Sequence, residues 1–376
     1  MNTLVSSDSH IFEPPDLWLA RLGSDLRDQA PRIVEEATGD WWYLGDRRLA
    51  GMGPASNTGK RFEHPEDIKR EGRYINIRPG ANVPDARLKD LDEDGVYAEV
   101  LYPTVGLQLF CVTDSELLTP LCAAYNDWLA EFCASHPKRL KGVALLNVDD
   151  VPGAVAELRR ARGIGLSGAL IPVFPRADAQ YDSPEYEPLW AAAADLDVPL
   201  GMHTSTIRPS STVARDPVGG TPASEVNIDY YVRMSLAAII LSGVFDRHPK
   251  LQVGTVEHGL GWIPYFLDSL DYTYTQIARR PGWHRFKDGV LPSDVFSQHV
   301  FCSFQEDALG IRERKRIGLQ TLMWASDYPH TASTYPRSRQ IVERQTAGIP
   351  AAEIAQIGAL NTCRLYHIDL PAEAAV

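Results

Sequence analysis

Alternating strand-type and helix-type runs restrict the fold of this chain more than any other feature of its sequence. Strands that alternate with helices form βαβ units with a parallel sheet, because each helix returns the chain to the start of the next strand. Eight such units predict an α/β fold of the (β/α)8 TIM barrel type. An open doubly wound sheet is the alternative, but no GxGxxG motif follows a strand to support dinucleotide binding. The eight strand-type runs are centred near Val5, Glu99, Leu145, Ile171, Leu200, Gly254, Phe301 and Trp324.

One long segment interrupts this alternation. Residues 22–87 are polar, aromatic and rich in glycine, and they include Trp41, Trp42 and the run Gly51-Met52-Gly53-Pro54. We interpret them as an insertion after strand 1, inside a single domain of residues 1–376. Long connections in compact domains often cover a binding site, so the insertion is also predicted to act as a lid.

The net charge, the N-terminus and the cysteines indicate which kind of partner and which cellular location to expect. The formal net charge is −12, from 37 basic and 49 acidic residues, and it disfavours nucleic acid or an anionic membrane as the main partner. The N-terminus has no signal-peptide pattern, and no apolar run reaches the length of a membrane-spanning helix. The five cysteines are odd in number and lack CxxC spacing, which indicates free thiols. We therefore expect a cytoplasmic protein that binds a small molecule.

Four of the predicted strands end in side chains that can bind a metal ion. Asp8 and His10 follow the first run, His203 ends the fifth, His258 the sixth and Asp327 the eighth. Side chains two apart on a strand face the same way, so Asp8 and His10 can share one cation. Each residue alone has an ordinary structural explanation, such as a hydrogen-bonded buried histidine. Strand ends converge at one face of a barrel, so together they predict a divalent metal site.

Three neighbouring residues are candidates for a further ligand or for a position just behind the ligands: Glu13, Glu257 and His330. Glu13 has the alternative of a solvated loop carboxylate, and His330 that of a residue capping a turn. Adjacent residues of a strand face opposite ways, so Glu257 and His258 both enter the site only if the strand has already ended.

Substrate contacts are less clearly indicated. Tyr102 and Thr104 follow the second strand, where they are predicted either to line the pocket or to pack at the strand end. Arginine binds carboxylates through two hydrogen bonds, so an arginine could also clamp an acidic substrate. Surface ion pairs are the simpler explanation for the three candidates, Arg176, Arg233 and Arg247.

The sequence resembles the amidohydrolase-related family, in the branch that includes aminocarboxymuconate-semialdehyde decarboxylase. The resemblance covers nearly the whole chain, and its motifs are specific for the family but not for one reaction. The runs that carry it are Asp8-Ser9-His10 with Glu13-Pro14, Tyr125-Asn126-Asp127-Trp128, Pro137-Lys138-Arg139-Leu140, residues 199–203, Phe245-Asp246-Arg247-His248-Pro249, Glu257-His258-Gly259 and Ser326-Asp327-Tyr328-Pro329-His330.

The resemblance implies which of these residues hold the metal. Asp8 and His10 would be the ligands of strand one, His203 that of strand five and Asp327 that of strand eight. His258 would be an additional ligand or a proton-transfer group from strand six. The resemblance further implies that the chain forms a homo-oligomer.

The identity and number of metal ions follow from two departures from the family pattern. Much of the family has HxH on strand one, and the carboxylate of Asp8 shifts preference toward iron(II) or manganese(II), with zinc still open. Relatives with two metals bridge them through a carboxylated lysine or a glutamate on strand four. The strand-four run of residues 168–174 has neither, which favours one ion. A second ion, bound by the remaining candidate ligands, is the alternative that stays open.

Two reactions suit this set of residues. The main prediction is a hydrolase of an amide, ester, lactone or thioester that uses a metal-activated water, with Asp327 accepting the proton and His258 steadying the oxyanion. The alternative is a non-oxidative carboxy-lyase in which Asp327 or His258 protonates a ring carbon as CO₂ leaves. Hydrolysis is preferred because the motifs around Asp8 and Asp327 resemble members grouped as hydrolases. A barrel that only binds is disfavoured by the intact set of ligands.

Overall fold

A computed structural model of the protein describes residues 3–209, 222–277, 283–287 and 289–371. Its strands are β1 Leu4–Ile11, β2 Pro31–Glu36, β3 Gly39–Leu44, β4 Arg47–Gly51, β5 Val96–Pro103, β6 Leu140–Leu145, β7 Gly168–Phe174, β8 Leu200–Ile207, β9 Val253–Val256, β10 Val300–Phe304 and β11 Leu322–Trp324. Eight of them form a sheet in the order β1-β5-β6-β7-β8-β9-β10-β11, in which the paired neighbours are parallel.

The two outer strands of this sheet are joined by the segment that follows β11. The backbone N–H of Asp327 donates to the carbonyl of Asp8 at 2.9 Å, and that of His10 donates to the carbonyl of Tyr328 at 2.6 Å. These bonds bring the last strand beside the first, as closure of a barrel requires. The predicted (β/α)8 barrel with an insertion after strand 1 is therefore confirmed.

Most barrel strands are apolar because they are buried on both faces, by the barrel interior and by the surrounding helices. β1 is the exception: its residues Ser6, Ser7, Asp8, Ser9 and His10 are all buried and polar. Buried hydroxyl groups are costly unless they are hydrogen-bonded, and these serines bond to each other and to the ends of β10 and β11. The polar layer lies where the barrel closes.

Helices connect the strands and cover the barrel. Several begin as their sequence predicts; the Asp114 carboxylate, for instance, accepts the Glu116 N–H and caps the helix that follows. Two consecutive helices, Tyr230–Leu241 and Val244–Arg247, are separated because Gly243 adopts a left-handed φ of 74°. In the described part of the chain, the α-helices of five or more residues are Leu17–Arg21, Pro84–Asp94, Ser115–Ala134, Val151–Gly163, Glu187–Leu196, Pro222–Val226, Tyr230–Leu241, Ile263–Tyr272, Pro292–His299, Ala308–Arg312, Ser338–Gln345, Ala351–Ala355 and Asn361–Tyr366.

The insertion contains a small antiparallel sheet of its own, in the order β2-β3-β4. Trp42 of β3 is fully buried and packs edge-on against Trp18, so it anchors the sheet to the barrel. Further along, the Thr58 hydroxyl donates to the carbonyl of Pro329 at 2.5 Å. The insertion thus contacts the segment that carries Asp327, and its role as a lid stays a prediction.

Candidate metal centre

The predicted ligands lie within β1 and β8 and just beyond β11, and their donor atoms form two close groups that share His10: Asp8, His10 and His203, and His10, Asp327 and His330. The Nε2 atom of His10 lies 3.5 Å from Oδ1 of Asp8, 3.5 Å from Oδ1 of Asp327 and 3.1 Å from Nε2 of His203. Oδ1 of Asp8 lies 3.8 Å from Nε2 of His203. The side chains of Asp8, His10, His203 and Asp327 are all buried. The distances bring together residues more than 300 positions apart in the sequence.

The backbone orients both imidazoles for metal binding. Nδ1 of His10 is 2.7 Å from the carbonyl of Pro103, and Nδ1 of His203 is 3.0 Å from that of Thr204. Because a carbonyl only accepts, Nδ1 carries the proton and the Nε2 lone pair of each ring faces the centre. Burial lowers the pKa of both histidines and keeps them neutral, as ligands must be.

The two carboxylates test whether the site suits a cation. Both oxygens of Asp8 and Oδ2 of Asp327 are buried and have no hydrogen-bond partner among the described residues. Burial, reinforced by the nearby Glu257, raises the pKa of both carboxyls, and Asp327 raises that of Asp8 further. Such groups are costly in a protein interior unless a counter-charge compensates them. Two carboxylates and two imidazoles fit a divalent ion such as manganese, iron or zinc.

Asp327 also contacts His330, whose donor atom lies within 4.8 Å of those of His10 and Asp327. Its Oδ1 lies 2.9 Å from Nδ1 of His330, and Nε2 of His330 lies 3.0 Å from the hydroxyl of Thr104. The His330 ring stacks on His10 with centroids 3.9 Å apart. Thr104 and His330 therefore form a chain of polar groups that ends at Asp327.

Glu257 and His258 both turn toward the site because β9 has already ended at Val256. Glu257 adopts a left-handed φ of 64°, and its Oε2 lies 3.5 Å from Nε2 of His203. Nδ1 of His258 bonds the hydroxyl of Thr255 at 2.8 Å, while its buried Nε2 has no partner among the described residues. Among the described residues, no group of three donor side chains within 4.8 Å of one another includes His258. Its part in proton transfer stays a prediction.

The polar atoms of Glu13 and Tyr102 bond to groups outside the set of metal donors. The oxygens of Glu13 accept the backbone N–H groups of Val105 and Gly106 at 2.9 and 2.8 Å, so the side chain shapes the loop after β5. Burial raises the pKa of Glu13 to about 7. The Tyr102 hydroxyl bonds that of Tyr366 at 3.1 Å inside the barrel. The Tyr102 ring also packs against His203, with centroids 5.5 Å apart. A role of Glu13 behind the ligands and a substrate contact of Tyr102 stay predictions.

The arginines considered as carboxylate clamps are in ion pairs, as the simpler explanation for them expects. Arg176 pairs with Asp178, Arg233 with Asp229 and Arg247 with Glu187, at N–O distances of 3.2, 2.8 and 2.8 Å.

One buried ion pair beside the centre was not predicted. Arg87 and Glu99 are fully buried; Nη2 of Arg87 lies 3.0 Å from Oε2 of Glu99 and also donates to the carbonyl of Tyr328 at 3.3 Å. The pair thereby supports the residue next to Asp327. The available signal was a glutamate within the otherwise apolar run of β5.

A barrel whose strand ends gather carboxylates and imidazoles defines a class of metal-binding enzymes. The family model for amidohydrolases matches residues 78–368 of this chain. The protein belongs to the amidohydrolase family.

Several proteins resemble this chain over most of its length. The gamma-resorcylate decarboxylase of Rhizobium sp. (strain MTP-10005) is 27% identical over 304 residues, which cover 77% of this chain and 88% of the relative. An amidohydrolase from Mycobacterium avium subsp. paratuberculosis K-10 has a similar structure, with 21% identity, a TM-score of 0.78 and coverage of 99% of each chain. So has a dihydroxybenzoic acid decarboxylase from Polaromonas sp. JS666, solved with manganese and the inhibitor 2-nitroresorcinol (20% identity, TM-score 0.68, coverage of 100% of this chain and 99% of the other).

These relatives correct the expected reaction. The prediction of a hydrolase of amides, esters, lactones or thioesters is wrong, because the curated relatives that match most of the chain are decarboxylases. The same metal donors serve both reactions, so motifs shared with hydrolases did not discriminate between them. In the part of the chain that the structure describes, none of the helices combines the length and apolarity needed to cross a bilayer.

Replacing His203 with alanine should lower the metal content of the protein. The change removes one of four donors, so we expect the affinity for manganese to fall by at least the roughly 10- to 100-fold typical of an outer-shell partner. Metal per chain, measured by mass spectrometry after dialysis against graded manganese, checks this. His136→Ala is the matched control, because His136 pairs with Asp85 at the other end of the barrel. Unchanged manganese content in His203→Ala would remove His203 from the ligands.

Proposed function

We propose that this protein is a metal-dependent, non-oxidative decarboxylase of aromatic carboxylic acids. The observation that carries the proposal is the buried group of Asp8, His10, His203 and Asp327 at the barrel mouth. It supports the proposal because the chain is similar to gamma-resorcylate decarboxylases over about three quarters of its length.

These four side chains would hold one divalent ion. When bound, the ion supplies Lewis acidity toward a substrate carboxylate and a neighbouring hydroxyl oxygen. Manganese is the ion that we propose, since carboxylate and imidazole donors suit it and the Polaromonas decarboxylase was solved with it.

The chain's own residues would manage the proton. Decarboxylation breaks the bond between the ring carbon and the carboxylate carbon, leaves its electron pair on the ring carbon and consumes one proton there. We assign delivery of this proton to Asp327. His330, 2.9 Å from Asp327 and 3.0 Å from Thr104, would restore it after each turnover.

The surrounding elements would enclose the reaction. We propose that residues 1–376 act as one domain in which the insertion of residues 22–87 is a lid. Its contact from Thr58 to Pro329 supports this, because that contact reaches the segment that carries Asp327. Exclusion of water strengthens the electrostatic interactions of a site.

The proposal predicts CO₂ release from a hydroxybenzoate. Manganese-loaded protein should convert 2,6-dihydroxybenzoate to resorcinol and CO₂ in equal amounts, measured by chromatography and a coupled CO₂ assay. Protein stripped with a chelator should be inactive, and addition of manganese should restore it. Hydrolysis of a panel of esters and amides by the loaded protein, with no CO₂ from hydroxybenzoates, would contradict the proposal.

A further inference from the structure

A cavity of about 180 Å³ adjoins the metal centre. It lies between the carboxyl ends of β7 and β8 and the helix Tyr230–Leu241. Thr204 and His258 line it; the Thr204 hydroxyl is 3.3 Å from Nδ1 of His203, so this wall also touches a metal ligand. The apolar side chains of Ile207 and Tyr231 line it as well.

The volume of the cavity is sufficient for a single aromatic ring. An apolar cavity of about 150 Å³ is large enough to bind benzene. The cavity beside the metal centre is therefore large enough for one six-membered ring with small substituents.

The polar groups of the cavity suit a hydroxyl group better than a second anion. Nε2 of His258 is buried and has no partner among the described residues, so it is free to bond a ring hydroxyl. Among the described lining residues the charged side chain is Glu225, an exposed carboxylate, and no lysine or arginine is present. A second substrate carboxylate placed here would face the carboxylate of Glu225, with no cation among the described lining residues to pair with it.

Resting on the proposed function, we infer that this cavity receives the ring of an aromatic monocarboxylate and rejects aromatic dicarboxylates. The reacting carboxylate would lie toward Asp8, His10, His203 and Asp327. Ring hydroxyl or small apolar substituents would occupy the cavity.

The matched ligands are 2-hydroxybenzoate bearing either a neutral 5-carbamoyl group or an anionic 5-carboxyl group. Manganese-loaded protein should bind and decarboxylate the neutral member about 100-fold better. Ile228→Arg places a cation in the wall and should reduce this preference by about tenfold, since arginine pairs strongly with carboxylates. Ile228→Gln changes polarity without charge and should leave the preference intact. So should Val226→Arg, because Val226 is 80% exposed and does not line the cavity.

Binding by calorimetry and CO₂ release are measured separately. Ring binding that responds to residue 228, without CO₂ from any ligand, would contradict the proposed function and leave the cavity assignment standing. CO₂ release with equal preference for both ligands would overturn the cavity assignment. So would a charge preference that Ile228→Arg does not change, or the absence of binding by any of these ring compounds.

Discussion

Asp327→Asn is expected to lower the rate of CO₂ release by about 100- to 10,000-fold, the range for loss of a positioned proton-transfer group. The amide of asparagine cannot supply the proton, although its oxygen can still reach a cation. Part of the manganese should therefore remain bound, which separates this variant from His203→Ala. The measurements are kcat for 2,6-dihydroxybenzoate and metal per chain on the same sample.

Asp195→Asn is the matched control, because Asp195 lies near the starts of β9 and β10, at the opposite end of the barrel. It should retain the activity of the unaltered protein. Asp327→Asn with near-normal kcat would exclude Asp327 from proton transfer.

Arg87→Met should lower the free energy of unfolding by about 3–5 kcal/mol, because it leaves the carboxylate of Glu99 buried without a counter-charge. Arg87 and Glu99 are both fully buried. This loss is a large part of the roughly 5–15 kcal/mol typical of a folded domain. The urea midpoint at unchanged m value measures it.

Two comparisons test the cause. Arg21→Met removes an exposed pair with Glu131 and should cost only about 0–1 kcal/mol. Arg87→Met combined with Glu99→Leu removes both buried charges and should recover most of the stability. If the double variant is as unstable as Arg87→Met, the loss arises from the bonds of Arg87 to Gly80 and Tyr328 instead.

The barrel and the positions of its ligands were predictable because each depends on short-range sequence pattern. Strands buried on both faces are apolar runs, and a polar residue directly after such a run lies at a strand end. His203 ends its apolar run, although β8 continues to Ile207, and Asp327 follows closely after β11. Barrel geometry then brings these ends together without further information.

Local backbone geometry was harder to predict. Whether Glu257 faces the site depends on a left-handed residue one position after β9, and glutamate carries no preference for that conformation. Glu13 has the composition of a ligand, but two backbone N–H groups from the loop after β5 occupy its oxygens. These backbone partners of Glu13 can be identified only once the position of the loop is known.

The reaction itself could not be predicted from the ligands. Hydrolysis and decarboxylation both use a Lewis acid with a proton-transfer group, and Asp327 can fill that role in either. We expect the walls of the pocket beside the metal centre to separate them, and these walls come from residues without a motif, such as Ile207 and Tyr231.

Barrel closure and cation binding involve the same residues. The backbones of Asp8 and His10 bond to Asp327 and Tyr328, while the side chains of Asp8, His10 and Asp327 surround the site. A bound ion would thus cross-link the first barrel strand, β1, to the segment after the last one, β11, where the barrel closes. Manganese supply would then govern how long the folded enzyme survives in addition to how fast it works.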